Sequence, residues 1–238
     1  MTLGFLAKAV ATTAKISIPT LAEAALGRLE PRTCDERLDQ WSRRLLSDAK
    51  IELSVHGLEH AKTEESFVVM SNHQSLYDIP VLFQALQRRI RMVAKRELFR
   101  VPLWGRAMRV AGFIEVDRDN HERAVESLRR AVGAIESGTD VWISPEGTRS
   151  RDGSLQAFRK GGFHLALDAG VRILPVSIDG TRRVLEAGGA TVRPGAAVVV
   201  TVHPPVDTAR YSADDLEALM AHVRAAIEGA LPPPSVRR

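Results

Sequence analysis

A chain of 238 residues, 45% hydrophobic and 26% charged, is long and apolar enough to bury a sizeable core, which excludes a disordered or low-complexity protein. Its net charge of +4 permits nucleic acid, an anionic membrane or a phosphorylated substrate as partner without choosing among them. The single cysteine, Cys34, excludes an intramolecular disulfide and fits a reducing compartment; the acids beside it in PRTCDERLDQW disfavour a thiolate, so it reads as a bystander.

The first stretch, MTLGFLAKAVATTAKISIPTLAEAALGRL, is apolar but punctuated by Lys8, Lys15, Glu23 and Arg28. It falls short of the roughly 20 apolar residues that span a bilayer, and it lacks a convincing secretory h-region and cleavage site. Pro19 is expected to divide it into two helical pieces. Either an anchor lying in a membrane interface or a helical pair packed on the domain accounts for the pattern. Another helix is expected to end near Ser47. Next, IELSVHGLEH alternates like a strand with a turn at Gly57, and SFVVMS is a β-branched run of the buried kind. IRMVA, GFIEV, DVWIS, RILPVSI and AAVVVTV repeat that type. Helical patterns fall between them at Pro80 to Arg88, Asn120 to Ser137 and Phe158 to Ala169, and a last one runs from Ser212 to Gly229. Ser212, Asp214 and Asp215 suit its N-terminus.

Strands alternating with helices predict an α/β fold with a mixed, largely parallel sheet covered by helices, preceded by an N-terminal helical pair. The expected organisation is a membrane-associating helical segment over 1–48, an α/β domain over 49–230 and a flexible tail over 231–238.

The segment MSNHQSLYDIPVLF places His73 and Asp78 five apart. On a helix, residues at that spacing do not meet. However, SFVVMS should end as a strand near Ser71, and Pro80 suits the first turn of the following helix. Asp78 then falls near the N-cap and His73 in a loop that can curl back, at the carboxyl end of a strand where α/β sites lie. A carboxylate on one imidazole nitrogen fixes the tautomer, and the other nitrogen can take a proton from a hydroxyl or water. Alone, the pair reads better as a helix cap and a loop filler than as a catalytic pair. Three further strand ends carry turns with Gly, Arg or acidic residues, in GFIEVDRDN, VWISPEGTRSRDG and RILPVSIDG. Together they favour a shared cleft.

Four blocks in order, NHQSLYD, GFIEVDRD, SPEGTRS and ILPVSIDG, with KREL and FRKGGF between them, resemble the glycerophospholipid acyltransferases, specifically the 1-acyl-sn-glycerol-3-phosphate acyltransferases. The resemblance covers about Phe67 to Gly180. It implies transfer of a fatty acyl group from a thioester to the free hydroxyl of lysophosphatidic acid, giving phosphatidic acid. His73 matches the catalytic base and Asp78 its orienting carboxylate, with direct attack and no acyl-enzyme. Arg118 and Arg149 match positions used for the acceptor's phosphate, which suits guanidinium forks. Lys95 and Lys160 are placed as helpers there, Gly147 as a close backbone approach, and Glu146 as a member of that loop which orients Arg149 or the loop itself. No metal and no cofactor is implied; acyl-CoA or an acyl carrier protein thioester serves as co-substrate. The sequence departs from the family pattern at Ser144, where Phe is usual, at Arg159 in place of Lys, and in its less hydrophobic N-terminus. The resemblance tips that N-terminus toward a paired-helix anchor in one leaflet, on the cytoplasmic face of the cell membrane.

Other readings follow from the same residues. The acceptor is open between lysophosphatidic acid and another lysolipid, such as a lyso-aminolipid. A non-catalytic module that binds an anionic membrane or nucleic acid fits the basic charge, but aromatic residues make up only 5% and no continuous basic stripe appears, which argues against nucleic acid. The remaining histidines (His56, His60, His121, His164, His203 and His222) are scattered, against a zinc site. Leu103, Trp104, Phe99 and Phe113 read as core residues, with the acyl path as the other option for Leu103 and Trp104. The C-terminal Arg237 and Arg238 read as solvated.

Overall fold

The computed structural model describes residues 2–117 and 121–233. Two helices, α1 (Thr2–Ala25) and α2 (Pro31–Asp48), precede strand β1 (Glu52–His56). The chain continues through β2 (Val68–Ser71), α3 (Asp78–Leu86), β3 (Ile90–Lys95), α4 (Arg96–Phe99), α5 (Trp104–Val110), β4 (Ile114–Val116), α6 (His121–Glu136) and β5 (Asp140–Ile143). It closes with α7 (Gly161–Asp168), β6 (Ile173–Asp179), α8 (Thr181–Val184), β7 (Ala197–Val202) and α9 (Leu216–Gly229).

The strands form one seven-stranded sheet in the order β1-β7-β6-β2-β5-β3-β4. Every neighbouring pair is parallel except β6 with β7. The expected mixed, largely parallel sheet is therefore present, with all seven strands where the apolar runs placed them. Side-chain alternation splits the interior in two. Val69, Trp142, Val176 and Ile178 face α2 and α3, while Val68, Met70, Val141 and Ile173 face α6, α7 and α9. Burial on both faces is why these strands read as continuous apolar runs and not as alternating ones.

Pro19 does not divide the first helix; it lies inside α1. A mid-helix proline costs about 3 kcal/mol through its lost N–H and its clash with a carbonyl. Packing of α1 on α2 and α5 offsets that cost. The Thr20 hydroxyl bonds Ile16 O at 2.6 Å in the same turn, and Arg37 of α2 bonds the Thr20 oxygen at 3.0 Å. Trp41 ties the helices together: its Nε1 donates to Thr13 Oγ1 at 3.0 Å, and its ring meets Phe83 and Trp104 edge-on. Among the described residues no helix is long and apolar enough to cross a membrane.

Helix ends moved where local chemistry outweighed the pattern. The helix expected from Phe158 starts at Gly161. The one expected from Ser212 starts at Leu216, after Ser212 and Asp215 bond each other. The expected start at Asn120, with Arg118 and the end of the tail (234–238), lies outside the described residues.

Candidate active site

The parallel strands β2, β5, β3 and β6 end on one edge of the sheet, and the loops there carry the quoted motifs. β2 is fully buried, and it releases the chain at Ser71 into the loop that holds His73. Asn72 fixes the exit. Its side-chain amide donates to Ile178 O and accepts from Ile178 N–H, both at 2.8 Å. The loop then curls so that His73 Nδ1 lies 2.6 Å from Asp78 Oδ2. The five-residue spacing is bridged by loop backbone, not by a helix face.

Asp78 is not the N-cap. Tyr77 holds that place and Asp78 opens the helix, so its carboxylate turns back into the loop. Oδ2 also accepts the N–H groups of Gln74 (2.7 Å) and Ser75 (2.9 Å), and Oδ1 accepts the Thr181 hydroxyl. The group is wholly buried. With Asp78 accepting at Nδ1, the imidazole carries its hydrogen there and leaves the Nε2 lone pair for another group. The ring stands edge-on to Trp142, with centroids 5.6 Å apart, and Trp142 is itself held by its Nε1 bond to Ser71 Oγ at 2.9 Å.

The loop after β5 grips His73 by its backbone. Glu146 Oε1 accepts the His73 N–H at 2.7 Å, and the Ser150 N–H donates to His73 O at 2.7 Å. Glu146 Oε2 accepts the Gln156 N–H at 2.8 Å. Burial pushes the Glu146 carboxyl above its usual range, against the pull of those two N–H groups. Both oxygens are thus committed to backbone. Of the two options open for Glu146, orienting the loop is the one its contacts describe. Gly147 supplies the turn at φ +69°, with its N–H on Ser144 O.

The cations expected near a phosphate are placed unequally. Arg149 is half-buried beside Ser150 and makes no hydrogen bond or ion pair among the described residues. Lys95 is exposed where β3 ends, on the same edge. Lys160 pairs with Glu217 at the start of α9, 2.7 Å away. Ser75 is not set up as a nucleophile, since its hydroxyl donates to Leu185 O at 2.7 Å. No group of three or more His, Cys, Asp and Glu residues that could hold a metal ion occurs among the described residues.

Three contributors were missed by the sequence reading. Thr181 follows Gly180 directly, and a hydroxyl one residue past that block was the available signal. Asn72 stood inside the first block without a role. Trp142 read only as a strand residue. A small apolar void of about 10 Å³ is lined by Ile79, Leu82, Phe83, Ile90, Met92 and Trp142. Beyond it, at the far end of α3, a polar cleft of about 500 Å³ opens. Its Arg88 is answered by Asp140, its Arg89 and Arg91 by Asp35, and its Arg43 by Asp39. That cleft is larger, and no histidine lines it.

The model of a family described as Acyltransferase matches residues 52–179. The 1-acyl-sn-glycerol-3-phosphate acyltransferase of Escherichia coli (strain K12) is 30% identical over 169 residues, 71% of this chain and 68% of that protein. The chloroplastic enzyme LPAT1 of Arabidopsis thaliana is 32% identical over 155 residues, 65% of this chain and 43% of that protein. The Salmonella typhimurium enzyme is 32% identical over 68% of this chain and 65% of its own length. The chain thus spans from under half to about two thirds of these curated relatives. The crystal structure of the 1-acyl-sn-glycerophosphate acyltransferase PlsC from Thermotoga maritima superposes with a TM-score of 0.81 and 29% identity, over 96% of this chain and 92% of that one.

Proposed function

The chain belongs to the 1-acyl-sn-glycerol-3-phosphate acyltransferase family of acyltransferases, and from that membership we propose that it moves a fatty acyl group from an acyl thioester to the free hydroxyl of lysophosphatidic acid. The observation that carries this reading is the His73–Asp78 pair, 2.6 Å apart at the carboxyl edge of the sheet. The acceptor O–H gives its proton to His73 Nε2 as its oxygen attacks the thioester carbonyl carbon. Asp78 holds the tautomer and balances the imidazolium. The tetrahedral intermediate collapses, the C–S bond breaks, and the departing thiolate takes the proton from His73. Phosphatidic acid and a free thiol result, with no acyl-enzyme and no redox change.

Arg149, beside the backbone clamp on His73, is assigned to the acceptor's phosphate, with Lys95 where β3 ends on the same edge; Arg118 keeps that assignment from the sequence motif alone. Guanidinium forks suit a phosphate through two parallel hydrogen bonds. The outer face of α1, where Ala7, Val10, Ala11, Ile18, Ala22 and Leu26 are exposed with Lys8 and Lys15, is assigned to a membrane interface. An apolar stripe interleaved with lysines suits that setting.

The test is turnover by purified protein of lysophosphatidic acid with acyl-CoA and, separately, acyl carrier protein thioester. His73→Ala should lower the rate by roughly 10²–10⁴-fold, the usual worth of a positioned general base. Transfer persisting near the wild-type rate in His73→Ala would remove the base assignment, and thioester left intact with every lysolipid acceptor would remove the reaction.

A further inference from the structure

Eight large hydrophobic side chains are exposed among the described residues, and their distribution is uneven. Val10, Ile18 and Leu26 belong to α1 and its end; Leu76 belongs to the His73 loop; Leu98, Val101, Leu103 and Val110 all fall within α4, α5 and their link. Leu103 and Trp104 were expected in the core. Trp104 is there, half-buried against Trp41, but Leu103 points outward.

Leu103 also has an unfavourable backbone. Its φ of +64° and ψ of −57°, with the Trp104 N–H on Pro102 O at 2.7 Å, make a γ-turn of the rare, strained hand. A leucine has no reason to sit there for the sake of the turn; glycine fits positive φ without a Cβ penalty. The turn is fixed from behind. A Cβ at Gly105 would lie 2.1 Å from Phe99 O, so only glycine lets α5 dock so closely on α4, and Phe99 is buried beneath it. Rigid backbone thus holds Val101, Pro102 and Leu103 out into solvent. Strain that persists with an exposed apolar tip marks a contact surface.

Charge says what the surface meets. Between Lys95 and Val110 the chain has five basic residues and one acid, Glu97. Arg96 is neutralised by Asp117 and Arg109 by Glu115. The guanidinium groups of Arg100 and Arg106, exposed on either side of the tip, have no hydrogen-bond or ion-pair partner among the described residues. The tip also has the right place: α4 leaves β3 at the edge where β2 releases His73, and α1, with its own apolar outer face, packs on α5.

We propose that the Arg100–Trp104 turn, with the flanking faces of α4 and α5, is a second lipid-inserting element beside α1. Val101 and Leu103 enter the apolar zone of an anionic bilayer while Arg100 and Arg106 meet its phosphates, and the mouth at His73 is brought down to the membrane surface where the acceptor resides. This rests on the membrane reading given for α1 and extends it to the catalytic domain.

Vesicle flotation tests it, with the full chain on phosphatidylcholine vesicles with and without about a third phosphatidylglycerol. The Val101→Ser/Leu103→Gly variant should bind the anionic vesicles roughly tenfold or more weakly, since each buried aliphatic side chain contributes at least that factor. Its Tm should stay level or rise, because glycine relieves the turn. Arg100→Gln/Arg106→Gln should lose roughly fivefold per charge on anionic vesicles and nothing on neutral ones. Transfer to a detergent-dispersed acceptor should be unchanged in both variants, and transfer to a vesicle-embedded acceptor should fall. Equal flotation of Val101→Ser/Leu103→Gly and wild type overturns the proposal. So does self-association in sedimentation that this variant abolishes while vesicle binding holds, which would make the tip an interface between copies. Absence of turnover with every acceptor would sink the enzymatic reading alone, because the flotation arms do not depend on it.

Discussion

Glu146→Gln separates two roles that a carboxylate in this loop can have. The side chain joins two backbone segments, with the His73 N–H at 2.7 Å on one oxygen and the Gln156 N–H at 2.8 Å on the other. Each charge-assisted bond is worth about 1.5–3 kcal/mol. Glutamine matches the shape but keeps only one acceptor; its NH₂ must face one of the two N–H donors and leave it unpaired, at about 1–3 kcal/mol. The amide avoids burying a charge, which offsets part of that loss. The net cost comes to roughly 1–2 kcal/mol, or a Tm lower by about 2–8 °C for a domain of this size. If the NH₂ faces His73, the loop drifts, and a 1 Å displacement of a catalytic group costs roughly 10²-fold. The expected outcome is kcat down by about 10–10²-fold with the acceptor KM within about twofold, because the carboxylate positions the base and does not touch the ligand. Steady-state kinetics against acceptor concentration, with a thermal melt alongside, reads both. A raised acceptor KM with kcat intact would refute this reasoning and return Glu146 to the phosphate site.

Arg88→Met should cost about 3–5 kcal/mol in urea unfolding, since it strands the buried Asp140, which Arg88 meets at 2.6 Å; adding Asp140→Asn should restore part of the loss. Ser144→Ala should stabilise by about 1 kcal/mol, because the buried Ser144 hydroxyl has no hydrogen-bond partner among the described residues; a lower Tm would show that the hydroxyl is paired. Burial, with His60 nearby, holds the His203 imidazole below its usual range, so the fold favours its neutral form. That stability is present above about pH 6.5 and is lost as pH falls through the depressed folded value. His203→Gln should therefore flatten the fall in stability between about pH 7 and 5, and an unchanged slope would assign the acid sensitivity elsewhere.

The sheet was legible because strands buried on both faces have only one composition open to them. Runs such as VVMS and ILPVSI, buried on both faces, carry no competing helical period. The His73–Asp78 meeting was legible for a different reason: a strand end and Pro80 bracket the loop tightly enough to forbid a helix between them. What stayed hidden depends on distant segments. Nothing local to Thr181 says that its hydroxyl reaches a carboxylate 103 positions away, and nothing local to Lys160 says that Glu217 will take its charge. Pro19 misled because its helix is held by α2 and α5, not by its own propensity, and Leu103 misled because hydrophobicity records affinity for apolar surroundings without saying whose.

Trp41 meets Thr13, Phe83 and Trp104 at once, so the first two helices share a bearing with the helix that begins at Asp78. A chain shortened to begin at residue 49 would therefore not be a soluble catalytic unit cut free of a tether. It would bare the flanks of α3 and α5, lose the pivot against which α3 is seated, and trade the exposed apolar face of α1 for a larger and stickier one.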